Sequence, residues 1–259
     1  MKNVIVVQAR ENSSRLPNKV LEKILGKTIL QIVVDKCLKL ENVSNVVVAI
    51  PVKNNNIKKL CDELQYNYVT GSEKNVLQRF IKVIDEYGAE NIIRINSDCP
   101  FFDIEVSQLV INEFLNNYDD LDYASNTIEK SFPQGLDIEI VKSEILKKIY
   151  TDTLDEEDLE HVTLFIRKNA GLFKVLNIVS SQDFGNYRLT IDTPEDLIIL
   201  KWIASHYAYS EDIKYDDKLK KILTSETYRE YNRNNTSDSL VNNYLQNTYM
   251  QKYESTYLI

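Results

Sequence analysis

Three cations and two hydroxyl groups lie in one loop that directly follows an apolar stretch, residues 4–7. The groups in this loop that can hold an anion are Arg10, Ser13, Ser14, Arg15 and Lys19. Each charge-assisted hydrogen bond from arginine or lysine to phosphate contributes roughly 1.5–3 kcal/mol, so converging cations can bind a polyphosphate and stabilise its departure. We therefore interpret the loop as a triphosphate-binding segment, although any one of these cations alone is typical of a solvated surface.

Two aspartates that follow predicted strands are candidates for holding a metal ion. Asp98 follows the predicted strand 91–96, and Asp192 follows the predicted strand 187–191. Mg²⁺ is usually held by only one or two carboxylates together with phosphate oxygens and water, so two acids beside a nucleotide are sufficient. The structural alternatives are an Asx turn for Asp98 and a favourable position at a helix N-terminus for Asp192.

The residues after Asp192 have a structural explanation of their own. Thr193 as N-cap, Pro194 at the first helical position and Asp196 at the third form a capping box. The pattern predicts that a helix begins at Pro194 and leaves Asp192 free for another role.

Other polar groups belong to the segments between these acids. Gly71 begins a turn into a helix that carries Arg79, and the free N–H groups of that helix start can meet a phosphate or a base. Asp137 and Glu139 share one face of a predicted strand, where they could contact an acceptor. His161 lies in an amphipathic helix, and such a histidine is more often a packed structural group than a base.

The elements that must position these residues alternate between apolar stretches and segments of helical period, which is typical of an α/β fold with a mostly parallel sheet. In the first half we predict strands at 3–8, 45–50, 66–69 and 91–96. The predicted helices between and after them are 28–40, 54–64, 73–87 and 103–117. In such folds ligands bind at the carboxyl edge of the sheet, where both the basic loop and Asp98 are expected.

The second half is predicted to be more mixed. The predicted strands are 122–126, 135–140, 173–178 and 187–191, and the predicted helices are 143–151, 156–169 and 194–205. We divide the chain into a domain at 1–205 and a C-terminal extension at 206–259, which holds nine of the sixteen tyrosines. Because this extension is too aromatic for a typical disordered tail, we expect helices that pack on the domain or on a second subunit of a homodimer.

Composition excludes several classes of protein. A net charge of −8 over 259 residues argues against a nucleic-acid-binding protein, which needs a broad positive surface. No stretch is apolar over the roughly 20 residues that cross a bilayer, so we expect no membrane span and a cytoplasmic location. The three scattered cysteines predict buried, reduced thiols rather than disulfides or a zinc site. The glycine-rich motifs of P-loop and dinucleotide-binding proteins do not occur.

The blocks that carry these residues resemble the cytidylyltransferase family that includes the spore coat polysaccharide biosynthesis enzymes. They are more distantly similar to the synthetases that make CMP-linked acidic sugars. The resemblance spans residues 1–205 and depends on six ordered blocks: QARENSSRLPNKVLEKILGK, GSEKNVLQRF, INSDCPFFD, QGLDIEI, EHVTLFIRKN and RLTIDTPEDL.

The resemblance implies a Rossmann-like three-layer nucleotidyltransferase fold that transfers CMP from CTP, with Mg²⁺, to a small anionic acceptor. Such an acceptor would be an acidic sugar or a phosphorylated metabolite, in the synthesis of surface or capsule polysaccharide precursors. The implied nucleotide-binding residues are Gln8, Ala9, Arg10, Ser14, Arg15, Lys19, Gly71, Arg79 and Ser97. The implied catalytic residues are Arg10, Arg15, Lys19 and Asp98, and the implied Mg²⁺ ligands are Asp98 and Asp192. The implied acceptor-binding residues are Gln134, Asp137, Glu139 and His161.

Three positions depart from the family's pattern, and one of them is Thr28, which stands where proline is common. Asn18 stands where the family usually has glycine, and asparagine tolerates left-handed backbone better than most residues. Ser97 replaces the glycine that usually precedes the acid of the fourth strand, and its side chain is expected to narrow the nucleotide cleft.

Two other functions stay open at the level of sequence. One is a glycosyltransferase of similar fold that consumes a ready-made sugar nucleotide, although it usually needs an Asp-x-Asp pair and Asn96-Ser97-Asp98 supplies one acid. The other is a non-catalytic nucleotide-binding scaffold that uses the tyrosine-rich extension to assemble a pathway.

Overall fold

The computed structural model describes residues 1–151, 154–207, 213–235 and 256–258. Within these residues, seven strands form the central sheet in the order β9-β7-β8-β6-β1-β4-β5, and a short strand β10 pairs with β9 at one edge. The strands are β1 Asn3–Gln8, β4 Asn45–Pro51, β5 Asn67–Gly71, β6 Asn91–Asn96, β7 Tyr123–Ser125, β8 Glu139–Lys142, β9 Val175–Val179 and β10 Thr256–Leu258. The remaining strands, β2 Lys23–Ile24 and β3 Lys27–Thr28, form a separate two-stranded hairpin.

Helices cover both faces of the sheet, which makes three layers. They are α1 Ile29–Cys37, α2 Asn55–Leu64, α3 Val76–Tyr87, α4 Ile104–Asn116, α5 Ser143–Thr151, α6 Glu156–His161, α7 Leu164–Lys168, α8 Pro194–His206, α9 Asp217–Leu223 and α10 Glu226–Asn235. Short 3-10 helices lie at Lys19–Leu21, Tyr118–Asp120 and Ala170–Leu172. Within the described chain, no helix is long and apolar enough to cross a membrane.

Strand β1 lies inside the sheet, with a neighbouring strand on each side. It pairs in parallel with β4 on one side and with β6 on the other. Ile5 and Val7 pack with α1, α4 and α8 on one face of the sheet, and Val4 and Val6 pack with α3 and α5 on the other. All four side chains are completely buried, as expected for a parallel strand covered on both faces. The carboxyl ends of β1 and β6 therefore lie side by side.

Within the central sheet, antiparallel pairing is confined to β8, which pairs with β6 and with β7. The other neighbouring pairs are parallel. The prediction of a mostly parallel α/β sheet is confirmed, and helices are present in the C-terminal region. Residues 236–255 of that region lie outside the described residues.

Two predicted elements differ in kind from the structure, and a third, the predicted strand 135–140, begins only at Glu139. The predicted strand 187–191 is a loop with a single bridge between Arg188 and Gln134. Its backbone hydrogen bonds go to Gln134 on either side of Arg188 and to Asp98 at Ile191, so no continuous ladder with one strand forms. The predicted helix 156–169 is two helices, since Val162 has a φ of 56° and turns the chain between α6 and α7.

The three cysteines, Cys37, Cys61 and Cys99, are buried free thiols, as the sequence predicts. Burial raises the pKa of each of them, and it raises that of Cys61 to about 12. These thiols are therefore protonated and unreactive in the folded chain.

Candidate functional site

A polar cleft of about 260 Å³ opens at the carboxyl ends of β1 and β6. Its walls come from the basic loop after β1, from the start of α3, from β6 and the turn after it, from α6 and from the loop before α8. The lining residues are Gln8, Ala9, Arg10, Ser13, Ser14, Arg15, Lys19, Val20, Val76, Arg79, Arg94, Asn96, Ser97, Asp98, Glu160, His161 and Asp192.

The centre of the cleft is a three-residue group that we call the lysine–aspartate cluster: Lys19, Asp98 and Asp192. The Nζ of Lys19 lies 2.6 Å from Oδ2 of Asp98 and 2.7 Å from Oδ1 of Asp192. Nη2 of Arg15 lies 3.5 Å from the second oxygen of Asp192. The two acids that the sequence predicts to act together thus contact the same ammonium group.

Charge within and beside this cluster shifts the pKa values of Lys19 and Asp192. Burial alone would lower the pKa of Lys19, but Asp98 and Asp192 outweigh burial and raise it. Burial would raise the pKa of Asp192, but Lys19, Arg188 and Arg15 together lower it. At neutral pH Lys19 is therefore an ammonium and Asp192 a carboxylate.

The loop before Lys19 is fixed by its own backbone. Asn18 has a left-handed φ of 57° and directly precedes the 3-10 helix that presents Lys19. The N–H of Asn18 donates to the carbonyl of Glu11 at 2.8 Å. The Glu11 carboxylate accepts in turn from the N–H groups of Asn56 and Ile57 at the start of α2. Asparagine tolerates this left-handed backbone better than most residues do.

The loop before α8 holds Asp192 through the predicted capping box, which is confirmed. The Thr193 hydroxyl accepts from the N–H of Asp196, and the Asp196 carboxylate accepts from the N–H of Thr193 at 2.8 Å. The same carboxylate accepts from the N–H of Asp192 at 2.6 Å and from Arg188. Arg188 also donates to the Asp192 carboxylate at 3.2 Å.

Arg79 reaches the cleft from α3 and is almost completely buried. Its guanidinium donates to the carbonyls of Ala9 and Ala49, and its Nε has no hydrogen-bond partner among the described residues. Burial, followed by the charge of Arg10, lowers its pKa to about 10. Arg79 is therefore still a cation at neutral pH, and it is held by carbonyl groups.

Gly71 contributes to the site indirectly. It does not line the cleft. A Cβ at this position would lie 2.8 Å from Cγ of Arg79, well inside van der Waals contact. The glycine therefore makes room for the side chain of Arg79.

The floor of the cleft contains a buried ion pair between Arg94 and Glu139. The Glu139 carboxylate also accepts from the hydroxyl of Tyr123 at 2.7 Å and from that of Thr163. Arg94 donates to Oε1 of Gln8 at 3.1 Å. Burial would raise the pKa of Glu139, but the charges of Arg94 and Arg167 and the hydrogen bonds from Thr163 and Tyr123 together lower it to about 2.

The mouth of the cleft is bridged by an exposed ion pair. Nη1 of Arg10 lies 3.3 Å from Oε1 of Glu160 on α6. The neighbouring His161 also lines the cleft. Partial burial there and the positive charge of Arg94 lower the pKa of His161, so the ring is neutral at pH 7.

The structure thus brings most of the predicted site residues into one cleft. The predicted residues that line it are Gln8, Ala9, Arg10, Ser14, Arg15, Lys19, Arg79, Ser97, Asp98, His161 and Asp192. The predicted residues that do not line it are Gly71, Gln134, Asp137 and Glu139. Glu139 needs correction as an acceptor ligand, because its carboxylate is buried and already accepts three hydrogen bonds. Gln134 uses its backbone to bond Tyr187 and Leu189.

Sequence reasoning missed several lining residues, of which Arg94, Asn96 and Glu160 are polar. Arg94 and Asn96 alternate along β6 in phase with Asp98, so period-two spacing on that strand was a usable signal. Asn96 Oδ1 is buried without a hydrogen-bond partner among the described residues. Glu160 gave no such signal, because its position depends on how α6 folds over the mouth.

The donor set fits a hard divalent cation in number and type. Asp98 and Asp192 are two partly exposed carboxylates that converge on one point. In the part of the chain that the structure describes, no group of three or more histidine, cysteine, aspartate or glutamate side chains forms a complete metal site. Two carboxylates that leave the remaining positions to phosphate and water suit Mg²⁺ better than zinc.

Comparison with known proteins adds independent findings. The family model described as cytidylyltransferase matches residues 4–231. The spore coat polysaccharide biosynthesis protein SpsF of Bacillus subtilis is 32% identical over 207 residues, which are 76% of this chain and 84% of that protein.

Two solved structures share the fold. A cytidylyltransferase from Leptospira borgpetersenii superposes with a TM-score of 0.83 at 28% identity, over 90% of this chain and 98% of that one. CMP:2-keto-3-deoxy-manno-octonic acid synthetase, solved with CTP, superposes with a TM-score of 0.62 at 19% identity, over 80% of this chain and all of that one. At 19% identity, the similarity to the synthetase shows a shared fold only.

Proposed function

The chain belongs to the cytidylyltransferase family, and from that premise we propose that it transfers CMP from CTP to a small anionic acceptor and releases pyrophosphate. The proposal includes dependence on Mg²⁺, an acidic sugar or phosphorylated metabolite as acceptor, and a role in the cytoplasm in making surface polysaccharide precursors. The observation that carries it is the lysine–aspartate cluster. Lys19, Asp98 and Asp192 come from three distant segments and meet at one point of the cleft.

The basic loop supplies the binding energy for the triphosphate. Arg10, Arg15 and Lys19 line the cleft with the hydroxyl of Ser14 and with Arg79. Among the described residues, Arg79 donates hydrogen bonds only to carbonyl oxygens and its Nε has no hydrogen-bond partner, so it can add a charge-assisted bond to an anion.

The reaction is an in-line displacement at the α-phosphorus. An acceptor oxygen forms a new bond to the α-phosphorus. At the same time the bond between the α-phosphorus and the oxygen that bridges it to the β-phosphate breaks, and pyrophosphate departs. Lys19 and the arginines of the loop offset the charge that builds on the leaving group. Asp98 and Asp192 would hold Mg²⁺, which supplies charge neutralisation on the phosphate oxygens.

The acceptor enters from the side of α6 in this proposal. His161 and Glu160 lie on that wall of the cleft. A neutral His161 can hydrogen-bond an acceptor hydroxyl without competing for the phosphates. Gln134 and Asp137 stay candidate acceptor contacts, whereas Glu139 supports the wall through Arg94.

The test is pyrophosphate release from CTP across a panel of acidic sugars and phosphorylated small molecules. We expect Lys19→Ala and Asp98→Asn each to lower turnover by about 10²–10³-fold, because the first removes a cation that faces the phosphates and the second removes a carboxylate that would hold Mg²⁺. Thermal unfolding measured in parallel verifies that each variant folds.

The matched controls are Lys23→Ala and Asp119→Asn, which change exposed charges outside the cleft and are expected to leave turnover unchanged. Near-normal turnover in both Lys19→Ala and Asp98→Asn would reject the proposed site. Release of a nucleoside diphosphate instead of pyrophosphate would favour a glycosyltransferase.

A further inference from the structure

The C-terminal helix α10 contacts the loop that carries Asp192. The Tyr228 hydroxyl donates to the main-chain carbonyl of Arg188, and the Tyr231 hydroxyl donates to Oδ1 of Asp196. Tyr228 is completely buried and Tyr231 is partly buried. Both tyrosines thus direct their hydroxyls at the segment 188–196, which lies about 40 residues earlier in the chain.

Asp196 connects this helix to the cleft. Its side chain is fully buried, so each of its oxygens must find donors within the protein. Oδ2 accepts from Arg188, from the N–H of Asp192 and from the N–H of Thr193. Tyr231 supplies the donor to the other oxygen. A helix cap needs only the bond to Thr193, so the capping box does not account for the rest of this arrangement.

Arg188 completes the connection. It bonds the Asp196 carboxylate through Nη2, and its Nη1 lies 3.2 Å from Oδ2 of Asp192. The side chain is nearly buried, which restricts it to this geometry. Tyr231, Asp196, Arg188 and Asp192 therefore form one continuous chain of polar contacts that ends at the lysine–aspartate cluster.

We propose that Tyr231 is a positioning residue for the site: acting through Asp196 and Arg188, it holds the Asp192 carboxylate in the orientation that receives a divalent cation. The inference rests on the proposed function, because it takes Asp192 as a metal-holding acid. Without the Tyr231 hydroxyl, Oδ1 of Asp196 loses a buried donor. The Asp196 carboxylate and Arg188 then shift together, and Asp192 loses a fixed partner.

The experiment uses Tyr231→Phe in the full chain, which removes one hydroxyl and keeps the ring. Mn²⁺ binding without nucleotide is measured by electron paramagnetic resonance, and the apparent Mg²⁺ activation constant is measured at saturating CTP. We expect both to weaken about 10-fold, which corresponds to about 1.4 kcal/mol. The KM for the acceptor is expected to stay unchanged.

The matched control is Tyr215→Phe. Tyr215 belongs to the same C-terminal region, and its hydroxyl bonds Ser180 at 3.0 Å, away from the segment 188–196. Loss of this hydroxyl is expected to leave both metal constants unchanged. If Tyr231→Phe and Tyr215→Phe weaken the metal constants equally, the effect is general destabilisation and the inference is overturned.

A second variant tests the same chain of contacts in case Tyr231→Phe does not fold. Arg188→Lys keeps the positive charge, but one ammonium cannot replace the two-pronged contact with both carboxylates. It is expected to weaken Mn²⁺ binding as Tyr231→Phe does, and unchanged binding in both variants would overturn the inference.

Asp192→Asn separates the inference from its premise. If this variant binds Mn²⁺ as the native protein does, the metal role of Asp192 in the proposed function fails. If it loses Mn²⁺ while Tyr231→Phe retains it, the proposed function stands and the inference alone is wrong.

Discussion

At the scale of single residues, the cleft is built from charges that are compensated by partners from distant parts of the chain. Lys19 forms ion pairs with two acids, and Arg94 forms one with Glu139 beneath them. A buried ion pair of this kind contributes little over an apolar pair of equal shape, but it is costly to break, because the remaining charge is left without a partner. Replacement of one partner is therefore the informative experiment.

The pair of Arg94 and Glu139 predicts a specific dependence of stability on pH. The pKa of Glu139 is lowered from 4.5 to about 2 in the folded chain, so its contribution to stability is fully present above pH 4.5. That contribution is lost as pH falls from 4.5 toward 2. Glu139→Gln is expected to cost on the order of 3–5 kcal/mol at pH 7. Thermal unfolding followed from pH 7 to pH 3 is expected to show the difference from the native protein narrowing.

Asp120→Asn is the control for this series, because Asp120 is exposed and lies 3.8 Å from an exposed Lys174. Its melting temperature is expected to follow that of the native protein at every pH. A Glu139→Gln deficit that stays constant down to pH 3 would contradict the assignment.

Residue types and strand ends were sufficient to predict the lysine–aspartate cluster. Parallel strands end at a common edge, so a basic loop after β1 and an acid after β6 must lie close together. The same reasoning failed for Glu139. Alternation along a strand assigns a side chain to a face, but it does not say whether that face is open or covered, and here Tyr123 and Thr163 cover it.

At the scale of elements, the site depends on places where regular structure stops. β8 begins only at Glu139, and Gly135, where the predicted strand 135–140 begins, lies in the turn before it. Its φ of 106° lies in the region that favours glycine, and its backbone packs against that of Leu189. This contact fastens the loop 187–191, and with it Asp192, to the turn before β8.

Gly135→Ala is expected to destabilise the protein by about 1–3 kcal/mol or more. The added Cβ would lie 2.8 Å from the carbonyl carbon of Leu189, and backbone cannot move aside as a flexible side chain can. Urea unfolding measures the loss. Gly171→Ala is the control, since a Cβ there meets nothing within 4 Å, and it is expected to change stability by less than about 0.5 kcal/mol. Equal effects in the two variants would contradict the contact.

Long helices and strands were predictable because many of their residues follow the same hydrophobic period. Strands β1 and β6 agree with the predicted ranges at both ends, and α5 does as well. The break between α6 and α7 depends on the single backbone angle of Val162, which no periodicity reports. The sequence of the loop 187–191 predicts a strand because its apolar residues alternate with polar ones. In the structure these apolar residues are buried by loops and helices instead of by neighbouring strands.

At the scale of the whole molecule, the described C-terminal helices share the main hydrophobic core. Leu219 and Leu223 of α9 and Tyr228 of α10 are buried in the same cluster as residues of β1, α1 and α4. Hydropathy alone could not predict this packing, because the apolar residues of 213–235 are few and their partners are far away in the sequence. The division of the chain at residue 205 stays a prediction, and the shared core supplies a way to test it.

Leu223→Ala tests whether this region unfolds with the domain. Leu223 is fully buried, and its truncation is expected to cost about 2–5 kcal/mol while calorimetric unfolding stays a single transition at a lower temperature. Leu172→Ala, at a side chain that is 75% exposed, is expected to leave the transition in place. An early, separate transition in Leu223→Ala, with the main one unmoved, would instead indicate an independent unit.

The contact between Tyr231 and Asp196 also has a consequence for the order in which a ribosome makes this chain. The basic loop after β1 is synthesised early, and the strands that flank β1 follow long before α10. Asp192 obtains its last support when Tyr231 emerges. A nascent polypeptide in which β1, β4 and β6 are already paired therefore still lacks the contact of Tyr231 with Asp196 until α10 has been synthesised.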